Sequence, residues 1–177
     1  MPTMKGLILT ADDFEEAELL VPYYRLQEEG LAVDIAAPRR GHVRGEHGYP
    51  IEANQAFADI APLQHDVLVI PGGPAAEALV DDKAAVRIAV WFIEEHRPIA
   101  AICHGPLVLV ETGLMEEREA TGHPSIASVM RAARVRYVDQ EVANDGEIVT
   151  SRRPADLPAF MRELMKLVHR RRSATGG

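Results

Sequence analysis

The stretch RPIAAICHGPLVLV, residues 97–110, holds the single cysteine of the chain at the end of a short apolar run. Continuous apolarity from Pro98 onward is typical of a strand buried on both faces of a parallel sheet. Small residues, Ala101 and Gly105, flank Cys103 at two positions on either side, as a sharp strand-to-helix turn requires. Pro106 suits the first turn of a helix, where a missing N–H does no harm. The stretch therefore predicts a strand, a tight turn that presents Cys103, and a helix.

Three other apolar runs indicate similar strands: Lys5 to Ala11, Leu31 to Pro38 and Asp66 to Gly73. Segments with helical spacing lie between the runs. We therefore predict an α/β flavodoxin-like three-layer sandwich, with a mostly parallel sheet and helices on both faces. Asp145-Gly146, between two β-rich runs, predicts a small hairpin addition. Functional groups are expected where the parallel strands end.

Two helical segments have unusual features. Residues 14–29 contain Pro22, which predicts either two helical pieces or one bent helix. The closing helix is predicted to follow Asp156 as its N-cap and to tolerate Pro158 in its first turn. Residues 168–177 are basic and are expected to form a flexible, solvated tail.

Length, charge and cysteine content limit the possible functions. The 177 residues suit one domain spanning 1–177, and a net charge of −8 argues against a nucleic-acid partner. The chain shows no apolar run of about 20 residues, which argues against a membrane role. One cysteine cannot form an internal disulfide, and the first residues do not resemble a signal peptide, so the cytoplasm is expected.

Cys103 has two interpretations from the residues alone, a reactive thiolate or a small buried hydrophobic residue. The turn and the N-terminus of the following helix favour the thiolate, because unpaired N–H groups there stabilise negative charge. His104 is a candidate acid or base, although a catalytic histidine needs an acidic partner.

Other candidates follow the neighbouring strands. The backbone N–H groups of Gly73 and His104 are candidates for stabilising an oxyanion, although a Gly-Gly pair is equally typical of a turn. Glu15 is either a glutamate at a helix N-terminus or a protonated carboxyl that donates a hydrogen bond to sulfur. No spacing of potential ligands indicates a metal, and no cofactor motif is recognised.

Five segments together resemble the ThiJ/PfpI superfamily, in particular its PfpI-like branch of intracellular cysteine proteases, which is related to the parkinsonism-associated protein deglycase. They are LTADDFEEAELLVPYYRLQEEG, HGYPI, VIPGGPAAEAL, AAICHGPLVLVETG and SRRPADLPAFMREL, and the resemblance covers about residues 4–168. It implies a nucleophile at Cys103, a catalytic histidine at His104 and a glutamate facing the cysteine at Glu15. It also implies that Glu77 orients His104 from a neighbouring subunit, in a homo-oligomer such as a dimer or hexamer. His123 stands where PfpI proteins tend to have tyrosine, and it is a secondary candidate for lining the pocket.

The resemblance implies a cysteine-dependent hydrolase or lyase of stress defence. Its substrate is expected to be a reactive carbonyl such as methylglyoxal, or a protein adduct of one, as in glyoxalases and deglycases. An intracellular peptidase that forms a thioester at Cys103 is the alternative within the enzymes. A redox-sensing chaperone that is oxidised at Cys103 is the alternative outside them.

Overall fold

The computed structural model describes residues 3–176, which form eleven strands and six α-helices. The strands are β1 Lys5–Leu9, β2 Ala32–Ala37, β3 Gly41–Arg44, β4 Pro50–Ala53, β5 Gln55–Ala56, β6 Val67–Ile70, β7 Ile99–Ile102, β8 Glu119–Ala120, β9 Arg136–Tyr137, β10 Ala143–Asp145 and β11 Ile148–Ser151. The helices are α1 Glu16–Glu28, α2 Ala75–Asp81, α3 Lys83–Glu94, α4 Pro106–Glu111, α5 Ala127–Ala132 and α6 Leu157–Thr175.

Seven strands form the central sheet in the order β10-β11-β7-β6-β1-β2-β5. All of its pairings are parallel except that of β10 with β11, which are joined by the predicted Asp145-Gly146 turn. Helices α1 and α6 contact each other, while α2, α3 and α4 pack together as a second group. This arrangement confirms the predicted flavodoxin-like sandwich. The antiparallel pair β3 and β4 forms a separate small sheet.

The apolar runs became central strands because both faces of the sheet are covered. Every residue of β6 and β7 is buried, as are four of the five residues of β1. Parallel strands in this position have no polar face, so their sequences lack the alternation of a half-exposed strand. Their carboxyl ends lie on one edge of the sheet, which brings residues after Leu9, Ile70 and Ile102 together.

Helix α1 is one continuous helix, although Pro22 lies inside it. Pro22 is buried. Its packing against the core offsets the loss of the backbone hydrogen bond that a proline nitrogen cannot donate. Of the two sequence-based alternatives for this segment, the single helix is the one observed.

Helix α6 extends further than the sequence predicted. It continues to Thr175, so most of the expected tail at 168–177 is helical, while Gly177 lies outside the described residues. His169 Nε2 and Arg172 Nη1 lie 2.8 Å and 3.0 Å from Glu29 Oε1, at the end of α1. These contacts hold the last turns of α6 against the domain.

Asp156 precedes α6 as predicted, but its carboxylate does not cap the helix. It accepts hydrogen bonds from Arg152, with Arg152 Nε 2.9 Å from Oδ2. Across residues 3–176, no helix combines the length and apolarity needed to cross a membrane.

Candidate active site

Cys103 lies at the sharp turn between β7 and α4, as the sequence predicted. Its φ of 62° is in the left-handed region, which is strained for a residue with a side chain. A Cβ at Gly105 would overlap the carbonyl oxygens of Ile70 and Ile102, so only glycine fits there. The turn directs the thiol to the carboxyl edge of the sheet, and the cysteine is only 8% exposed.

The Gly72-Gly73 turn after β6 approaches the cysteine closely. A Cβ at Gly72 would overlap both the Cys103 side chain and a carboxylate oxygen of Glu18. Gly73 has a φ of 79°, which favours glycine. The backbone N–H groups of Gly73 and His104 act to lower the pKa of the Cys103 thiol. The two amides that the sequence suggested for an oxyanion therefore both face the reactive atom.

Glu18, rather than Glu15, is the glutamate that contacts the thiol. Glu18 is fully buried, and its Oε2 accepts a hydrogen bond of 2.8 Å from the Gly72 N–H. The Glu18 carboxyl also lies beside Cys103, because a Cβ at Gly72 would overlap both side chains. Glu15 instead caps α1 by accepting the Glu18 N–H at 2.8 Å. Of the two interpretations of Glu15, this contact agrees with the glutamate at a helix N-terminus, because an N-cap side chain turns back to its own helix.

A sequence signal for Glu18 was available. The buried positions of α1 are Glu18, Leu19, Pro22 and Leu26, which share one face by helical spacing. Glu18 lies one turn before Pro22 and therefore falls within the apolar face, whereas Glu15 precedes the helix. A glutamate on an apolar face is unusual and is a stronger functional signal than an acid in the first turn.

Burial raises the pKa of both Glu18 and Cys103. The Glu18 carboxyl has its pKa raised to about 8, mainly because burial disfavours its charged form. Burial, and then the negative charge of Glu18, raises the pKa of the Cys103 thiol to about 12. Burial therefore opposes the thiolate that the sequence predicts at Cys103. Helix α4 has only six residues, and the effect of its N-terminus is outweighed by the loss of solvation.

His104 is placed to accept the thiol proton. Its Nδ1 lies 3.2 Å from Cys103 Sγ, and its Nε2 lies 3.1 Å from Ser125 Oγ. Burial, and then the neighbouring His123, lowers the pKa of His104, which keeps the imidazole neutral and available as a base. The ring stacks on His123 with centroids 4.8 Å apart and an interplanar angle of 20°. Ser125 was not identified from the sequence, since a lone serine in a loop carries no motif.

A cavity of about 360 Å³ opens above the thiol. Its lining includes every site residue named from the sequence: Glu15, Gly73, Glu77, Cys103, His104 and His123. Glu18, Glu46 and Arg153 also line it. Within its own chain, Glu77 acts on His104 through its charge, which favours the protonated imidazole. The carboxylates outnumber the single arginine, so the cavity carries a negative potential.

Glu15, Glu16 and His47 form a cluster that the sequence did not reveal. One potential ligand atom from each lies within 4.8 Å of the others. The Glu16 carboxylate already binds His47, with 2.6 Å to its backbone nitrogen and 2.9 Å to Nδ1. These hydrogen bonds between Glu16 and His47 connect the start of α1 to the β3–β4 loop.

Comparison with known proteins agrees with this geometry. The model of the DJ-1/PfpI family matches residues 4–167. The chain belongs to the DJ-1/PfpI family. A relative from Pyrococcus horikoshii, named as a deglycase, is 46% identical over 165 residues, covering 93% of this chain and 99% of the relative. The deglycase PfpI of Pyrococcus furiosus is 43% identical with the same coverage. A Bacillus subtilis protein named as a candidate cysteine protease, YraA, is 37% identical over 93% of this chain and 98% of its own length.

Solved structures of the family share the fold. An Anabaena variabilis protein with a DJ-1/ThiJ/PfpI-like and a ferritin-like domain superposes with a TM-score of 0.91 at 30% identity, over 93% of this chain and 50% of that chain. Oxidised DJ-1 of Toxoplasma gondii gives a TM-score of 0.86 at 26% identity, over 98% of this chain and 95% of that chain. The second chain is matched along nearly its whole length, whereas the first has a further domain.

Proposed function

We propose that this protein is a cysteine-dependent enzyme of stress defence that acts on reactive carbonyls. Methylglyoxal and glyoxal, or their early adducts on proteins, are the proposed substrates. The observation that carries the proposal is the Cys103 thiol at a strained turn, 3.2 Å from His104 Nδ1 and facing a cavity of about 360 Å³. The deglycase names of relatives that are 43–46% identical support the substrate class.

The geometry suggests a sequence of proton and bond transfers. The thiol proton moves from Cys103 Sγ to His104 Nδ1 as the sulfur attacks the carbonyl carbon. The electron pair of the C=O π bond moves to oxygen, where the N–H groups of Gly73 and His104 stabilise the oxyanion. His104 then returns the proton to that oxygen, which gives a neutral hemithioacetal and a neutral imidazole. Protonated Glu18 adds no second negative charge beside the sulfur during the attack.

Glu77 of a neighbouring subunit is proposed to support the imidazolium. The carboxylate of Glu77 in the same chain already favours protonation of His104 through its charge. A second carboxylate supplied across an interface would strengthen this effect, since the cavity is open to solvent at its mouth. The proposal requires a homo-oligomer, such as a dimer or hexamer.

The central test compares methylglyoxal consumption by the wild type with that of Cys103→Ser and Cys103→Ala. Loss of the nucleophile is expected to lower the rate by about a thousandfold or more. Ser128→Ala, a change at an exposed position of α5, serves as the control and should leave the rate unchanged. Methylglyoxal turnover that persists in both Cys103 variants contradicts the proposal.

A peptidase is the second candidate, supported by the cysteine protease name of the Bacillus subtilis relative. The same thiol and base would attack a peptide carbonyl, give a thioester as the amine leaves, and release the acid when water attacks. Hydrolysis of fluorogenic peptides that exceeds carbonyl turnover, and that is lost in Cys103→Ser, favours this activity.

A redox-sensing role is the third candidate. Glu18 Oε1 is buried without a hydrogen-bond partner in the described residues, so it is free to hydrogen-bond to an oxygen added to sulfur. Intact-mass measurement after mild peroxide treatment tests this role. Addition of two oxygens at Cys103, with no carbonyl turnover, favours the sensor.

A further inference from the structure

The loop that carries His123 is fixed to the nucleophile turn. The His123 N–H donates a hydrogen bond of 2.8 Å to the carbonyl oxygen of Cys103. Gly122 accepts a hydrogen bond of 3.1 Å from the Tyr137 hydroxyl, and Pro124 restricts the following backbone. The position of Ser125, in the short helical turn Pro124–Ile126, is therefore set relative to Cys103.

Ser125 bridges the two stacked imidazoles. Its Oγ lies 2.7 Å from His123 Nδ1 and 3.1 Å from His104 Nε2. The backbone N–H of Ser125 also donates to His123 Nδ1, at 3.2 Å. Because a backbone N–H can only donate, Nδ1 of neutral His123 must carry the lone pair.

The hydrogen positions in the series His123, Ser125 and His104 follow from this one assignment. Since His123 Nδ1 has no hydrogen, the Ser125 hydroxyl donates to it and its oxygen is left to accept. His104 Nε2 must then carry a hydrogen and donate to Ser125 Oγ. Neutral His104 consequently has its lone pair on Nδ1, the nitrogen that faces Cys103 Sγ at 3.2 Å.

We propose that Ser125 is a positioning residue that holds His104 in the tautomer able to accept the Cys103 proton. His123 anchors Ser125 by fixing the direction of its hydroxyl. A serine suits this place because a hydroxyl donates and accepts at once, which an alanine cannot do and a carboxylate does only when protonated. The inference about catalysis rests on the proposed function, whereas the inference about the tautomer does not.

The tautomer is tested first in the intact wild-type protein, by nitrogen-15 NMR of the histidine rings. The expected spectrum shows neutral His104 and neutral His123 both carrying hydrogen on Nε2. In Ser125→Ala, the His104 signals should move toward a mixture of the two tautomers. A wild-type spectrum with hydrogen on His104 Nδ1, or a Ser125→Ala spectrum identical to the wild type, overturns the proposal.

Kinetics provide the second test. Ser125→Ala is expected to lower kcat for methylglyoxal by about tenfold, the effect of one lost hydrogen bond, with KM nearly unchanged. Ser125→Thr, which keeps the hydroxyl, should restore most of the rate, and Ser128→Ala is the matched control. A Ser125→Ala enzyme with wild-type kcat, or a Ser125→Thr enzyme as slow as Ser125→Ala, overturns the catalytic role.

The pH dependence of kcat tests whether the titrating groups around His104 are unchanged in Ser125→Ala. His104 is faced by Cys103, by His123, and by the carboxylates of Glu77 and Glu46. These groups remain in Ser125→Ala, so the profile should keep its shape while its height falls. If the wild type turns over neither carbonyls nor peptides, the proposed function fails, and the NMR experiment still decides the role of Ser125.

Discussion

At the scale of single residues, the site depends on how two acidic groups share a buried space. Glu18 and Cys103 are both deprived of water, so neither readily carries a charge beside the other. The N–H groups of Gly73 and His104 oppose this cost by stabilising charge on sulfur. A base in direct contact with the thiol would help to overcome this cost, and His104 Nδ1 lies 3.2 Å from Cys103 Sγ.

Glu18→Gln is expected to lower the pKa of the Cys103 thiol. The charge of Glu18 raises that pKa, so a neutral amide removes part of the increase to about 12 in the wild type. The rate of thiol alkylation as a function of pH measures the change. Glu15→Gln is the control and should shift the profile much less, because Glu15 caps α1. Equal shifts in the two variants would restore the original assignment to Glu15.

At the scale of elements, the turn between β7 and α4 is held by close backbone packing. Gly105 has no room for a side chain, whereas Gly113, after α4, has no atom within 4 Å of the position of a Cβ. The two glycines have different roles. Gly105 permits close contact between backbones, whereas Gly113 supplies a φ of 72° at a helix end.

Gly105→Ala is expected to lower the free energy of unfolding by about 3 kcal/mol or more, because the carbonyl oxygens it meets belong to β6 and β7 and cannot move freely. Gly113→Ala should cost only about 1–2 kcal/mol, the strain of a left-handed residue without a clash. Urea unfolding of both variants measures the difference. A Gly105→Ala protein as stable as Gly113→Ala would show that the turn relaxes more easily than its packing indicates.

At the scale of the whole molecule, the edge formed by the ends of β1, β6 and β7 collects groups from distant parts of the chain. Glu18 comes from α1, Gly73 from the loop after β6, and His123 from the loop before α5. Glu77 lies in the first turn of α2 and lines the same cavity.

Mixed oligomers of Cys103→Ser and Glu77→Gln subunits test whether Glu77 acts across an interface. A Glu77→Gln chain keeps its thiol and would take Glu77 from a Cys103→Ser neighbour, so co-expressed subunits should be more active than the sum of the two pure variants. Methylglyoxal turnover by the purified mixed oligomer measures this gain. The control is a mixed oligomer of Cys103→Ser and Glu18→Gln subunits. Its methylglyoxal turnover should not exceed the sum of the two pure variants, because Cys103 and Glu18 contact each other within one chain. Absence of a gain in the first mixture contradicts the role in trans.

The sequence by itself determined the strands β1, β2, β6 and β7, the nucleophile turn and the family, because buried parallel strands and a glycine-flanked turn leave local patterns that can be recognised one segment at a time. It also identified most of the cavity lining, since the ends of parallel strands meet at one edge. Only the tertiary structure decided which glutamate lies beside Cys103, that burial raises the pKa of its thiol, and that Ser125 joins His104 to His123. Those features depend on the direction of side chains from separate elements and on the water excluded where they converge, and neither leaves a pattern in a single segment.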